Sequence, residues 1–349
     1  MSPLGRKKRV LIVQNVVPHY RMDFYLELSK NFDLTILHSG KRVFIGDCRI
    51  QELVAPLYKI GPFYFQKGIF FEYSKKYDFI VAMCDLHWFV NFYPLIYRKR
   101  TYKFILWGSW LNRNELINFL KIRLARLADA NIFYCKYESE KFQRRGIALN
   151  KLFVANNTVH VKNRNGYQVN NSRYRILFVG KLDRRKELDK VLLAYHDCLP
   201  FIHKSIKLTI IGEGDCKPSL ESQVSHMNIM DKVDFIGNLT DLNLLSRYYY
   251  ESIVSVSYGQ AGLSVLQSFA FGVPFITNWN AISGGEKTNI LNGYNGFFCD
   301  SVLQLSEQLK QLCNDSTLYN ELGENAYNYY SEYCTVTEMV RGFESAFGV

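Results

Sequence analysis

Residues 258–277, YGQAGLSVLQSFAFGVPFIT, constrain this chain more than any other stretch. The apolar strand 253–257 leads into a loop at 258–262. A helix over 263–271 follows, with Leu263, Leu266 and Ala270 on one stripe. Gly272-Val273-Pro274 breaks it, and 275–277 begins the next strand. Strand, loop, helix and strand in such quick succession require a crossover, and so a parallel sheet. The first turn of the helix leaves backbone N–H groups without intrahelical acceptors, beside glycines. That arrangement suits an anion such as a pyrophosphate, although the same unit is also ordinary α/β scaffolding.

The alternation runs through the whole chain. Strands are expected at 10–13, 33–38, 78–83, 103–107, 130–134 and 151–155, and again at 175–179, 207–211, 233–236 and 253–257. Helical spacing falls between them, for instance at 114–128, 188–195 and 241–250. Residues 44–71 read as an irregular loop with short strands, 88–97 as an aromatic helix, and 280–295 as a loop. With 349 residues, two cores are expected rather than one. The polar segment 160–173, HVKNRNGYQVNNSR, is the best linker and sets a boundary near residue 170.

Charge changes sign at the same place. Residues 1–175 hold 30 lysines and arginines against 12 acids, and residues 176–349 hold 13 against 20. Basic clusters at 6–9, 41–42, 75–76, 98–100 and 144–145 alternate with aromatic groups at 63–65, 70–71, 88–89 and 92–93. This pattern suits an anionic membrane surface, or equally a solvated basic face over an aromatic core. No nucleic-acid motif is present, and nucleic acid is not expected as a partner. No run of about 18 apolar residues predicts a membrane span. The eight cysteines are scattered without a CxxC pair, which fits a reducing, cytosolic compartment and gives no zinc signature.

Three strands of the second half end in glycine followed by polar residues: Gly180-Lys181, Gly212-Glu213-Gly214 and Gly237-Asn238. In a doubly wound sheet these ends gather where ligands bind. Lys181 and Lys186, with Arg184 and Arg185, are placed to grip a diphosphate opposite the N–H groups of Gly262 and Leu263. The first βα turn has no GxGxxG, and His19 and Arg21 occupy it instead. There is no Asp-x-Asp, P-loop, His-x-x-x-His or G-x-S-x-G. Neither a metal-dependent nucleotide site nor a serine hydrolase has local support.

The ordered set RILFVGKLDRRKELDKVLLA, LTIIGEGDCKPSLE, VDFIGNLTD and YGQAGLSVLQSFAFGVPFIT, extended by the loop 283–286 and by NGYNGFF, resembles the nucleotide-sugar domain of family 4 retaining glycosyltransferases. The first half resembles that family's acceptor domain more loosely, through VLIVQNVVPHYRMDFYLELS, KFILWGSW and LFVANNT. The resemblance implies a GT-B fold: two α/β Rossmann-like, doubly wound domains facing each other across a cleft. They would span 1–170 (acceptor side) and 171–336 (nucleotide-sugar side), with a helix over 337–349 crossing back to the first domain.

The reaction implied is transfer of a sugar from a UDP- or GDP-linked donor to a hydroxyl of a glycan or polyprenyl-linked acceptor, without cofactor or metal. It would take place at the cytoplasmic face of the plasma membrane, in surface polysaccharide synthesis. Lys181 and Lys186 match the family's diphosphate-holding cations. Gly180, Arg185, Gly212, Gly214, Asn238, Ala261, Gly262 and Leu263 fall on the donor side, and His19, Arg21 and Trp110 on the acceptor side. The family's two glutamates, separated by seven residues, correspond to Gly259 and Gln267. Its sugar-contacting histidine corresponds to Ser109. Gln267 keeps hydrogen-bonding capacity toward a ribose, whereas Gly259 carries no side chain. A GT-B protein that binds nucleotide sugar without turnover is one alternative, and another GT-B enzyme such as an epimerase or phosphorylase is a second.

Overall fold

A computed structural model of the chain describes residues 6–44, 49–88, 92, 95, 101–112, 114–161, 166–239 and 241–349. It divides into two compact units, Met1–His160 with Val336–Val349, and Val161–Thr335.

The first unit is built on strands β1 (Arg9–Val13), β2 (Asp33–His38), β3 (Ile50–Val54), β6 (Phe79–Met83), β7 (Lys103–Trp107), β8 (Ala130–Phe133) and β9 (Leu152–Val154). They form one parallel sheet in the order β3-β2-β1-β6-β7-β8-β9. A separate antiparallel hairpin pairs β4 (Leu57–Ile60) with β5 (Phe63–Gln66). Both faces of the sheet are covered, so β1 is apolar throughout rather than alternating. Val10 and Ile12 enter one core, and Leu11 and Val13 enter the other.

The first of these cores is closed by α1 (Met22–Leu28) and by the chain's last helix, Val336–Phe347. The Phe343 ring sits 4.8 Å from Phe24 and 5.0 Å from Trp107. Gly342 permits this approach, because a Cβ there would lie 2.4 Å from the carbonyl oxygen of Val154. Three further α-helices lie in this unit among the described residues, α2 (Ile69–Ser74), α3 (Glu115–Leu127) and α4 (Lys136–Arg144).

The second unit has six parallel strands, β10 (Arg175–Val179), β11 (Lys207–Ile211), β12 (Val233–Gly237), β13 (Ser252–Val256), β14 (Phe275–Asn278) and β15 (Gly296–Cys299). Their order is β12-β11-β10-β13-β14-β15. The chain winds outward from β10 to β12, returns to β13 and winds out the other way. The β10 and β13 loops therefore diverge at the switch point where open α/β sheets bind ligands. In the first unit the same reversal falls between β1 and β6.

The expected doubly wound fold class is present, and two edge strands add to it. β3 falls within 44–71, where an irregular loop with short strands is expected, and IQELV does not single it out because it puts Glu52 on a buried face. That carboxylate is satisfied by His38 Nε2 at 2.8 Å and by the N–H groups of Val43 and Phe44. These partners depress its pKa although burial works the other way. No strand is expected at β15, because GFFC is only four residues long and follows a glycine-rich stretch. The expected helix over 88–97 lies mostly outside the described residues, as does the basic cluster 98–100.

Candidate functional site

At the second unit's switch point, three loops touch through their backbones. The N–H of Gly180 donates to Ile211 O at 3.0 Å, and Leu182 N donates to Glu213 O at 2.9 Å. Glycine is required where they meet. A Cβ at Gly212, whose φ is +144°, would fall 1.9 Å from the Gly180 oxygen, and one at Gly214 would fall 2.3 Å from the Leu182 oxygen. On the other side Gly259 N donates to Lys186 O at 3.0 Å, and a Cβ at Gly259 would lie 2.4 Å from the Arg185 oxygen. The turn 180–187 is thus clamped between the loop after β11 and the loop after β13.

That clamp places the cations. Lys186 ends a 3₁₀ turn (Arg184–Lys186) whose Asp183 side chain accepts from Arg185 N. The Lys186 side chain folds back over the strand end: a Cβ built on Gly180 would lie 3.6 Å from its Nζ. Burial lowers its pKa, with Arg185 adding to the effect and Asp183 and Glu286 opposing it. Lys181 and Arg184 are exposed. The exposed Arg185 guanidinium is held by Asp183 at 2.7 Å.

Helix α8 (Leu263–Ala270) starts beside this turn. Its N-cap, Gly262, makes no side-chain cap, and the space where a Cβ of Gly262 would point is open. The first N–H groups of α8 therefore stay available for an anion. Ser264 Oγ in the first turn is buried without a partner. The loop ahead of α8 is pinned by bonds from Ala261 N to Ile282 O and from Ile282 N to Gly259 O, each 2.9 Å. Lys287 Nζ donates to the Trp279 and Ala281 oxygens and fixes the far side of that loop. Glu286 accepts from Gly284 N at 3.0 Å and Ser283 Oγ at 3.2 Å. Gln267, one face down α8, accepts from Tyr249 Oη at 3.4 Å.

Of the donor-side residues named from sequence, Gly180, Lys186, Gly212, Gly214, Gly259 and Ala261 are tied together by these contacts. Asn238 stands exposed after β12, next to Gly237, whose oxygen takes the Gly212 N–H. Glu187 and Ser264 went unnoticed. Neither lies in a spacing that signals chemistry, and the conformation of Glu187 leaves no trace in the sequence.

The acceptor-side residues gather at the carboxyl edge of the first unit's sheet. His19 is exposed. Arg21 is only 5% exposed, bonded to the Tyr134 hydroxyl, with its guanidinium 4.5 Å from the Trp107 ring. No carboxylate pairs with it among the described residues, and its Nε is buried without a partner. Ser109 is buried next to Cys84, whose thiol is pushed up by burial. Trp110 is half exposed beneath the Lys121 ammonium, 4.5 Å from the ring centre.

Residues 161–329 match the family model of glycosyl transferases group 1. Through this segment the second unit belongs to the glycosyl transferases group 1 family. The group 1 assignment is accompanied by likeness to a Campylobacter jejuni protein, GalNAc-alpha-(1->4)-GalNAc-alpha-(1->3)-diNAcBac-PP-undecaprenol alpha-1,4-N-acetyl-D-galactosaminyltransferase. It is 28% identical over 155 residues, 43% of this chain and 42% of that protein. The chain thus aligns with less than half the length of this curated relative.

Among solved structures, Anabaena HepE in complex with UDP superposes with a TM-score of 0.74 at 14% identity, covering 98% of this chain and 99% of HepE. The lipopolysaccharide outer core galactosyltransferase WaaB, in its apo form, gives 0.71 at 13% identity, with 98% and 99% covered. The fold of this group 1 member is GT-B.

Proposed function

We propose that the chain transfers a sugar from a nucleoside-diphosphate donor to a hydroxyl of a glycan or lipid-linked acceptor in surface polysaccharide synthesis. One observation carries the reading: Lys186, held by its backbone against Gly259, stands at the switch point beside an uncapped helix start. A diphosphate seated there meets Lys186, Lys181 and Arg185 together with the N–H groups of Gly262 and Leu263. These same groups stabilise the charge that develops as the glycosidic bond breaks, with no need for a metal. HepE is described with UDP, which supports a uridine donor. In this reading Gln267, whose amide still has donors to offer, hydrogen-bonds the ribose.

On the acceptor side, an unneutralised guanidinium at Arg21 suits an anionic group such as the phosphate of a polyprenyl carrier, with His19 and Trp110 at its margin. Ser109 is the residue on this side closest in role to a sugar contact. A peripheral site on the inner face of the plasma membrane is supported by helix α3. Leu116 is 70% exposed and Phe119 56%, and Leu120 and Leu127 extend the same stripe beside Arg123 and Arg126. No helix among the described residues is long and apolar enough to cross a membrane.

Lys186→Ala tests the donor site. A charge-assisted contact contributes roughly 1.5–3 kcal/mol, so UDP affinity or turnover should drop at least about tenfold. Unchanged kinetics in a folded variant remove Lys186 from the site. Binding without turnover is the competing reading, favoured by the bare Gly259. UDP release from a hydrolysed donor separates the two.

A further inference from the structure

Glu187 is one of only two non-glycine residues with positive φ among the described residues, at φ +49° and ψ 45°. A branched or charged side chain in this region is strained, and such strain persists where surrounding structure enforces it, often at ligand clamps. Here the enforcement is visible. Glu187 is at once the C-cap of the 3₁₀ turn that carries Lys186 and the N-cap of helix α5 (Leu188–Cys198), whose Lys190 N–H its carbonyl accepts at 3.2 Å.

The result is a carboxylate standing over Gly259. The Glu187 Cγ lies 2.7 Å from where a Cβ of Gly259 would be. Position 259 can carry no side chain of its own, since the Arg185 oxygen lies 2.4 Å from the same point. Glu187 and Gly259 open onto a cavity of about 400 Å³ shared with Tyr258, Asn278, Asn280 and Asp300. Lys190 Nζ holds Glu187 Oε2 at 3.1 Å, and Oε1 accepts no hydrogen bond among the described residues. Carboxylates that accept, beside amides that both donate and accept, match the hydroxyls of a sugar ring.

We propose that Glu187 is the specificity-determining residue for the sugar moiety of the donor, accepting its hydroxyl hydrogen bonds from a strained backbone position next to the diphosphate clamp. The proposal rests on the donor-site reading above. It assigns the sugar to the side chain after Lys186, at a point where residue 259 contributes none.

The experiment compares wild type with Glu187→Gln and Glu187→Gly by calorimetry. Probes are UDP and GDP alone, then UDP-glucose, UDP-galactose, their N-acetylamino counterparts and GDP-mannose. In wild type, one sugar nucleotide should bind at least about fivefold tighter than its bare nucleotide. Both variants should erase that increment while binding the bare nucleotide within about twofold of wild type. Glu187→Gly should also raise Tm by ~2 °C, because glycine takes the left-handed conformation without penalty. A structural role alone would not combine a more stable protein with a lost sugar increment. An increment that survives in Glu187→Gln, or a wild type with no increment for any sugar, overturns the role of Glu187 while leaving the diphosphate site intact. Failure of wild type to bind either nucleotide sinks the donor-site reading and this proposal with it. A Glu187→Gly variant less stable than wild type refutes the strain on which the argument stands.

Discussion

A lysine tucked over a glycine backbone loses its proton more readily than one in water, and Lys186 is such a lysine. Its folded-state pKa lies below that of the unfolded chain, so between the two values the native state holds fewer protons. Stability therefore rises with pH across that window. Anion binding has the opposite preference, since a diphosphate favours the ammonium. UDP affinity should begin to fall at a lower pH than that at which a free lysine titrates, about 10.4. Lys186→Arg, charged throughout, should flatten that limb between pH 7 and 10. Parallel pH profiles for the two proteins would deny Lys186 its place at the diphosphate. The lysine itself was legible from its spacing after a strand-ending glycine. Its environment was not, because burial of Nζ depends on how far a neighbouring loop, distant in sequence, folds back over it.

The apolar runs VLIV, RILFV and KFILW were readable as strands because a parallel sheet covered on both faces needs no alternation. The short strands expected within 44–71 could not be placed: Ile50–Val54 does not stand out, since Glu52 looks solvent-bound until His38 is seen against it. Glycines were legible as turn signals, yet their strictest use is contact. Gly212→Ala would drive a methyl carbon to within 1.9 Å of the Gly180 oxygen and force the two loops apart. The expected cost is about 2–4 kcal/mol, comparable to overpacking combined with a strained φ. Thermal denaturation should show a lower Tm together with weakened UDP binding. A variant of wild-type stability would mean that the loops slide freely. Gly262→Ala, with open space around it, makes the matched control for the thermal measurement alone.

At the scale of the molecule, the charge asymmetry of the sequence reappears as two chemically distinct units. The basic one carries the exposed apolar stripe of Glu115–Leu127, and cationic side chains beside apolar ones bind anionic bilayers by two additive terms. Sedimentation with phosphatidylglycerol vesicles should be nearly complete at low ionic strength and fall steeply by about 0.5 M salt, where the Debye length is below ~5 Å. Replacing Leu116, Phe119 and Leu120 by serine should abolish the residual, salt-resistant fraction. Binding that ignores both salt and the triple change would place the lipid contact elsewhere or nowhere. The sequence pointed to this surface only through composition. The stripe emerges once Asn118, Lys121, Ile122 and Ala125 are known to face inward.

The last helix, Val336–Phe347, has a temporal meaning as well as a spatial one. Phe343 and Phe347 complete a core that also holds Val10, Phe24, Phe79 and Trp107, which are made more than 200 residues earlier. During translation the second unit has all its strands before those two rings leave the ribosome. The unit begun first is therefore the unit that finishes folding last, and until Val336–Phe347 emerges it presents an open apolar face to whatever chaperone is nearby.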